Sequence, residues 1–362
     1  MESCFCPTPF ASIVLRPNGD VNPCCLLKHY VIGNVKKNSI KDIINSTKAK
    51  KLRKEFLTNN IQTCKANIKV IKCHKWDGHL INEIEKKEYL KEGLKKIDVR
   101  LNGKCNLECI MCEVWKQENG TYTEENFWKE ARERIFPYLK EIKVLGGEPF
   151  IQPDTFRLIR EITEINPDCK WSLWTNAAWN FNSNIESSLN KIKNIRMITV
   201  SLDSPVKEYF EKIRVKGRFN QVMRTLDQLI AYRDKRIKNN EGFFLQTDMA
   251  VQKDNWQDID AYLKLTQRKK IYPGIFFVSD PKRYSILDLP LKEKLDILRL
   301  YFHLLSKTKH SELLHVIRPL LLSLSKLDKL EFLMDIKQIK DIDYRYIMND
   351  DYTGKYKSKV TP

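Results

Sequence analysis

The sequence has little glycine and proline and no long uninterrupted apolar run. Only 12 Gly and 14 Pro occur among 362 residues, which excludes collagen-like and low-complexity chains. No apolar stretch approaches the roughly 18 residues that cross a bilayer, and the first residues lack the basic and apolar regions of a signal peptide. The six histidines show no paired metal-ligand spacing. These absences favour a globular, cytoplasmic protein with no membrane partner.

Acidic residues are also in deficit. Lys and Arg number 64 against 46 Asp and Glu, which gives a formal net charge of +18. Such an excess attracts anionic partners such as nucleic acid, nucleotides or an acidic peptide. A compositional bias toward lysine, isoleucine and asparagine explains the same excess equally well, so charge alone leaves both interpretations open.

Cysteine is plentiful and clustered. In a cytosolic chain of this size, clustered thiols indicate metal or redox chemistry rather than structural disulfides. The ten cysteines comprise an early set (Cys4, Cys6, Cys24, Cys25, Cys64 and Cys73), a tight triplet (Cys105, Cys109 and Cys112) and the isolated Cys169. Cys169 precedes a predicted strand, at the opposite end from the triplet, and is expected to be a plain core or surface thiol.

The triplet forms a C-x3-C-x2-C loop directly after the predicted strand 96–101. Thiolates are the usual ligands of iron–sulfur clusters, and a four-iron cluster with three protein ligands keeps one iron open to a substrate or cofactor. The alternative is a zinc knuckle whose fourth ligand is Glu108 or a distant histidine. An open iron predicts catalytic chemistry.

A second motif follows the predicted strand 141–146, which ends in Gly146-Gly147-Glu148-Pro149. Two glycines at a strand end let the backbone approach a ligand closely, and a glutamate accepts hydrogen bonds from an amino group. Placed after the triplet, this stretch resembles the signature of the radical S-adenosylmethionine (SAM) superfamily. The resemblance implies that the triplet holds a [4Fe-4S] cluster and that the GGEP stretch binds the SAM amino group. Met111 stands where the family usually has an aromatic residue.

Strand-like and helical patterns alternate through the middle of the chain. Strands are predicted at 96–101, 141–146, 170–175, 196–202, 243–251 and 271–278, and helices at 123–139, 154–166, 184–193, 218–238 and 256–269. This alternation indicates an α/β fold with a parallel sheet under helical cover, without separating an open sheet from a barrel. The resemblance implies the partial (β/α)6 TIM-like barrel of radical SAM enzymes. In either case the active site lies at the carboxyl ends of the strands.

Further site residues follow from those strand ends. Residues 171–176 resemble the family's strand ending in TNG, with Ala177 in place of the glycine, and residues 199–203 resemble its SxD ending. The resemblance implies that SAM is contacted by Asn176, Ser201, Asp203 and Arg214. The alternative for each is a helix cap or a surface ion pair. Four more residues lie where they could face a substrate, near the ends of the last two strands: Gln246, Asp248, Asp280 and Arg283.

The N-terminal segment predicts a β-hairpin with thiols at its open end, turning at residues 17–20. The spacing from Cys6 to Gly19 to Cys24 resembles the C-x(9–15)-G-x4-C opening of SPASM and twitch auxiliary-cluster domains. The resemblance implies a second [4Fe-4S] cluster held by Cys6, Cys24, Cys64 and Cys73, with Cys4 and Cys25 as competing ligands and His74 beside Cys73. The cysteine count favours the single-cluster twitch type. A zinc-stapled hairpin is the alternative.

These patterns divide the chain into an auxiliary-cluster domain at 1–85, a radical SAM barrel at 93–284 and a helical extension at 285–362. The small α+β first domain precedes the barrel, whereas in most relatives it follows. In the extension, helical spacing of leucines predicts helices over 292–306 and within 313–336.

The resemblance implies an enzyme that reductively cleaves SAM to a 5′-deoxyadenosyl radical and abstracts a substrate hydrogen, with the auxiliary cluster aiding oxidation or modification. Its partners are then an electron donor such as flavodoxin or ferredoxin and a substrate, which is anionic, a sugar or nucleotide, or a peptide. Two other classes stay open. One is a non-catalytic zinc or iron–sulfur protein that binds nucleic acid, and the other is a scaffold built on the C-terminal helices.

Overall fold

The computed structural model describes residues 5–67, 77–91, 93–117 and 119–336. Its strands form one nine-stranded sheet in the order β3-β2-β1-β4-β5-β6-β7-β8-β9. The strands are β1 Ser12–Leu15, β2 Asp20–Asn22, β3 Gly33–Asn34, β4 Lys96–Val99, β5 Glu141–Val144, β6 Lys170–Thr175, β7 Asn194–Ser201, β8 Phe244–Val251 and β9 Tyr272–Phe277.

Thirteen α-helices accompany these strands in the described ranges. Four precede β4: α1 Thr8–Ala11, α2 Ile40–Ile44, α3 Thr47–Leu57 and α4 Thr63–Asn67. Six lie between β4 and β9: α5 Glu125–Arg134, α6 Pro153–Ile165, α7 Ser183–Asn190, α8 Lys207–Ile213, α9 Phe219–Lys238 and α10 Ile259–Lys269. Three follow β9: α11 Leu291–Thr308, α12 Leu314–Leu322 and α13 Lys326–Asp335.

The six strands from β4 to β9 run parallel, each paired with the next along the chain. All six predicted strands are present, and the predicted partial barrel with a small N-terminal part is confirmed. One helix prediction needs correction. The predicted helix 123–139 ends as α5 at Arg134, because Pro137 cannot continue it and a 3-10 turn follows. The leucine-rich 313–336 stretch divides into α12 and α13, where the Ser325 side chain caps the second helix.

The two faces of the parallel sheet differ in chemistry. On β4, Ile97 and Val99 are fully buried in the core shared with the covering helices, as is Ile142 on β5. Because successive side chains point to opposite faces, Lys96 and Asp98 lie on the other face, toward the barrel interior. On β4, the interior face of the sheet therefore carries charged side chains, whereas the outer face is apolar.

The N-terminal hairpin is continuous with the barrel sheet. β1 pairs antiparallel with β2, as predicted, and Gly19 takes a φ of +87° in the connecting turn. β1 also pairs parallel with β4, so that Ser12 lies opposite Lys96 and Leu15 opposite Val99. The hairpin therefore extends the barrel at its first strand, across the predicted boundary between residues 85 and 93.

Within the described ranges, the structure has no helix that combines the length and the apolar character needed to cross a membrane.

Candidate functional site

The cysteine triplet lies on the loop that leaves the carboxyl end of β4. Backbone hydrogen bonds hold this loop against the end of α8: Glu108 N donates to Val215 O at 3.0 Å and Ile110 N to Ile213 O at 3.0 Å. Cys109 is buried, and Cys105 and Cys112 are half-buried. The Glu108 carboxylate forms an ion pair with Lys216. The loop is thus fixed by backbone contacts on its outer side, while the one carboxylate within it is already paired.

The three thiols occupy a desolvated environment. Burial raises the pKa of Cys109 to about 12, and burial also raises the pKa of Cys105. Metal ligation requires the thiolate, so a bound cation would drive these protons off. No three His, Cys, Asp or Glu side chains surround a single metal-ion position within the described ranges. A four-iron cluster binds each thiolate through a different iron, so three thiols spread along one loop fit a cluster of that kind.

The glycine pair of the GGEP stretch lies directly against the cysteine loop. Gly146 and Gly147 adopt φ values of +82° and +54°, and a Cβ on Gly147 would collide with the Lys104 carbonyl. Glu148 N donates to the same carbonyl at 2.9 Å. Gln152 Nε2 bridges the two loops, donating to Lys104 O at 2.8 Å and to Gly146 O at 3.1 Å. Only glycine permits this approach, and Pro149 then begins a short 3-10 turn.

The Glu148 carboxylate is fully buried and bonded to protein. It accepts hydrogen bonds from Asn176 N at 2.6 Å, Thr175 Oγ1 at 2.7 Å and Phe150 N at 3.1 Å. Burial raises its pKa to about 7. These contacts tie the end of β5 to the end of β6. That this glutamate also receives the SAM amino group stays a prediction.

The end of β6 reaches the cysteine loop through Asn176. Its Nδ2 donates to Asn106 Oδ1 at 2.9 Å and lies 3.6 Å from Cys105 Sγ. Ala177, in the place of the family's glycine, has a positive φ of +55°. The structure therefore brings Asn176 to the cysteine triplet, and its contact with SAM stays a prediction.

The end of β7 supplies a buried ion pair beside the triplet. Asp203 is 1% exposed and its Oδ2 lies 2.8 Å from Arg214 Nη2, while its Oδ1 accepts from Ala250 N at 2.9 Å. Arg214 Nη1 in turn points to Cys109 Sγ at 3.8 Å. Both predicted residues thus lie at the triplet. Ser201 is the half-buried last residue of β7, level with Asp248 on β8.

The early cysteines fall on two sides of the hairpin end. Cys24 packs with Cys6 and Cys64 in a small apolar cluster that also contains Phe10 and Phe56. Burial, and then the neighbouring Cys25, raise the pKa of Cys24 to about 12. Cys25 instead has Asp98 and Lys143 of the barrel interior as its electrostatic neighbours. This arrangement supports Cys24 over Cys25 as a partner of Cys6 and Cys64. Cys4, Cys73 and His74 lie outside the described residues.

Of the four residues proposed to face a substrate, two lie inside the barrel. Asp248 accepts from Gln246 Nε2 at 2.6 Å and from Trp174 Nε1 at 3.3 Å, and burial raises its pKa to about 6. Asp280 and Arg283 are exposed on the loop after β9. Cys169 is a buried core thiol, 1% exposed.

Sequence reasoning missed the charged residues of the barrel interior. They are Arg16, Lys96, Asp98, Arg100 and Lys143. The signal was present as charges alternating with apolar residues along 96–101, a pattern that marks one polar face in a strand otherwise buried by helices.

Two family models match the chain. The model described as the radical SAM superfamily matches residues 99–266, and the SPASM model, described as an iron–sulfur cluster-binding domain, matches residues 4–68. The chain thus carries a radical SAM domain preceded by a SPASM domain. A radical SAM domain implies a [4Fe-4S] cluster and SAM, and a SPASM domain implies further iron–sulfur clusters. The SPASM match at the N-terminus confirms the predicted auxiliary module, whereas the single-cluster twitch type stays a prediction.

Curated relatives include GTP 3′,8-cyclases. That of Clostridium botulinum (strain Hall) is 25% identical over 180 residues, which cover 48% of this chain and 53% of the relative. That of Nautilia profundicola is 25% identical over 232 residues, covering 58% and 69%. The chain thus spans about half the length of the Clostridium botulinum relative.

Solved structures that match include Streptococcus suis SuiB bound to S-adenosylmethionine, at 14% identity and a TM-score of 0.43, covering 72% of this chain and 59% of that one. SuiB bound to its precursor peptide SuiA matches at 14% identity and a TM-score of 0.45, covering 72% and 60%.

Proposed function

We propose that this radical SAM protein cleaves SAM reductively and abstracts a hydrogen atom from a substrate held in the barrel. Cys105, Cys109 and Cys112 would hold the [4Fe-4S] cluster. Bound there, the cluster and SAM supply an electron and a 5′-deoxyadenosyl radical, chemistry that belongs to the cofactors. The observation that carries the proposal is the contact between the cysteine loop and Gly146-Gly147, made through Lys104 and bridged by Gln152.

The chain's own residues orient this site. Glu148 and Asn176 lock the ends of β5 and β6 to the cysteine loop, and Asp203 holds Arg214 against Cys109. Arg214 provides a positive charge at a buried thiol, which favours the thiolate. The helices that cover the sheet keep water out of the barrel interior, and a radical reaction requires this exclusion of water.

The N-terminal thiols would hold an auxiliary cluster through Cys6, Cys24, Cys64 and Cys73. The pairing of β1 with β4 supports a joint role, because it sets this module on the strand that leads into the cysteine triplet. A cluster at that place suits electron transfer from a substrate radical, so the outcome proposed is oxidation or modification of the substrate. External electrons would come from a donor such as flavodoxin or ferredoxin.

The substrate class proposed is an anionic small molecule, a sugar or nucleotide, or a peptide. The names of the curated relatives point to GTP for those proteins, and that of one matching structure to a precursor peptide. The charged interior of this barrel supports a polar, anionic substrate over an apolar one.

The decisive experiment is anaerobic iron and sulfide analysis with EPR of the reconstituted protein, combined with quantification of 5′-deoxyadenosine after addition of SAM and dithionite. With a single auxiliary cluster, the wild type is expected to hold about eight irons, and the triplet variant Cys105→Ala, Cys109→Ala, Cys112→Ala about four. SAM should change the EPR signal of the wild type only. The buried Cys169→Ala variant is the matched control.

Zinc in place of iron, or no 5′-deoxyadenosine from the wild type, would contradict the proposal. Either result would favour the non-catalytic alternative, a metal-stapled protein that binds nucleic acid through its positive charge. Glu148→Gln distinguishes the enzyme from the nucleic-acid-binding protein. The variant should lose SAM cleavage but keep nucleic-acid binding, because such binding does not involve this buried carboxylate.

A further inference from the structure

Two arginines lie side by side where the N-terminal strands join the barrel. β1 and β4 run parallel with Val14 opposite Asp98 and Leu15 opposite Val99, and Arg100 N continues the ladder by donating to Leu15 O at 3.0 Å. Arg16 and Arg100 therefore lie side by side just beyond the ends of β1 and β4, on the same interior face as Asp98. Neighbouring strands are about 4.8 Å apart, and like charges placed directly beside each other repel.

A lysine on the next strand adds to this positive charge. Lys143 on β5 lies opposite Asp98 and is half-buried. Asp98 is an electrostatic neighbour of all three cations, and its Oδ1, which has no hydrogen-bond partner, lies 3.9 Å from Lys96 Nζ. Lys96 has a partner of its own in Asp77. Three half-buried cations around one carboxylate leave an excess of two positive charges at this junction.

One of these cations has an unused donor. Arg100 Nε is buried from solvent and has no hydrogen-bond acceptor, whereas Arg16 Nε donates to Asn22 Oδ1 at 2.9 Å. Buried donors are nearly always paired, so an unpaired guanidinium N–H next to a second arginine indicates a missing acceptor. Charge-assisted hydrogen bonds from arginine to phosphate or carboxylate are the strongest way to satisfy it.

The position of this cluster is between the two cysteine sites. Arg100 lies against the glycine loop, where a Cβ on Gly146 would come within 2.7 Å of the Arg100 Cβ. Arg16 precedes the turn that leads to Cys24 and Cys25, and both thiols are among its electrostatic neighbours. Tyr122 Oη fixes that turn by donating to Arg16 O at 2.8 Å.

We propose that Arg16, Arg100 and Lys143 bind an oxyanion of the substrate, a phosphate or a carboxylate, at this junction. The site is composite, with one arginine from the N-terminal module and two cations from the barrel. An anion held there offsets the mutual repulsion of the arginines and orients the rest of the molecule toward the cysteine triplet. That the bound molecule is the substrate rests on the proposed function, whereas the anion site itself does not.

The test is isothermal titration of the reconstituted full-length protein under anaerobic conditions, with inorganic phosphate and succinate as separate probes. The wild type should bind one equivalent of at least one probe, and the preferred probe tells phosphate from carboxylate recognition. Arg16→Gln and Arg100→Gln should each weaken binding at least about tenfold. Lys264→Gln is the matched control, because it removes one positive charge from the exposed face of α10.

The proposal is overturned if neither probe binds the wild type, or if both arginine variants bind as tightly as the control. If Arg100→Gln does not fold, Arg100→Lys keeps the charge and should retain binding while Arg16→Gln loses it. Unchanged affinity together with an altered EPR signal of the N-terminal cluster would mean that the arginines neutralise that cluster instead. Anion binding without any 5′-deoxyadenosine formation would refute the proposed function and leave the anion site standing.

Discussion

The two cysteine sites of this protein are built in different ways. Cys105, Cys109 and Cys112 occupy one short loop that is held by hydrogen bonds with the ends of β5 and β6 and with the end of α8. Cys6 lies just before α1, Cys24 follows β2 at the end of the hairpin, and Cys64 lies in α4. An apolar cluster brings the three thiols together. The three cysteines of the first site are close together in the sequence and are held by hydrogen bonds. Those of the second site come together only when the apolar side chains around them pack. This difference agrees with the proposal that the radical chemistry takes place at the first site and that the second has a supporting role.

The largest effect is expected from Cys109→Ser. Loss of one of only three thiolates should reduce 5′-deoxyadenosine formation to background, because the cluster would lose an anchor inside the loop. Chromatography of the products measures this. Cys169→Ser, at an equally buried thiol in the core, should keep wild-type activity; the same loss in that control would point to general misfolding rather than to the triplet.

The next largest effect is expected at the N-terminal site, where the adjacent Cys24 and Cys25 are replaced one at a time. Cys24→Ala should remove about four irons and lower substrate turnover while SAM cleavage by the triplet persists, because only the auxiliary cluster loses a ligand. Cys25→Ala should keep the iron content, since this thiol faces the barrel interior. Iron analysis with EPR distinguishes them, and loss of iron from Cys25→Ala alone would reverse the assignment.

A smaller effect is expected where the loops meet. Gly147→Ala places a Cβ against the Lys104 carbonyl at a φ of +54°, so the free energy of unfolding should fall by about 2–4 kcal/mol and SAM binding should weaken. Gly120→Ala also lies at a positive φ, +87°, but has nothing within 4 Å of the added Cβ. Urea unfolding of both variants separates the cost of the contact with the Lys104 carbonyl from that of backbone strain. An equal fall in the free energy of unfolding of both variants would argue against a tight contact between the loops.

The smallest effect concerns the buried carboxyl group of Asp248 on β8. Burial raises the pKa of Asp248 from 3.8 to about 6, so the contribution of this group to stability is full below pH 4 and is lost as pH rises through 6. The free energy of unfolding of the wild type should therefore fall between pH 4 and 6, and in Asp248→Asn this fall should be smaller by about 1–3 kcal/mol. Unfolding curves at the two pH values measure it, with the exposed Asp260→Asn as the control; an undiminished decline would mean that Asp248 is not the group titrating.

Much of the fold could be predicted because its signals are short-range. The six barrel strands are runs of β-branched and aromatic residues, and each was located within a few residues. The helix α8 was missed, since its seven residues cover barely two turns and carry only two buried side chains, Phe210 and Ile213. Pro137 was present in the sequence, yet its effect on the end of α5 was not anticipated.

The sequence by itself determined the cysteine triplet, the glycine pair and the alternation of strands and helices, because each depends on residues close together in the chain. Only the tertiary structure decided that β1 pairs with β4, that Cys24 and Cys25 face opposite ways, and that Arg16 meets Arg100. The first and last of these outcomes depend on strand register between segments 84 positions apart, and the second depends on packing around the end of the hairpin. Register follows from the burial of a whole face against partners elsewhere in the chain, which no local pattern contains.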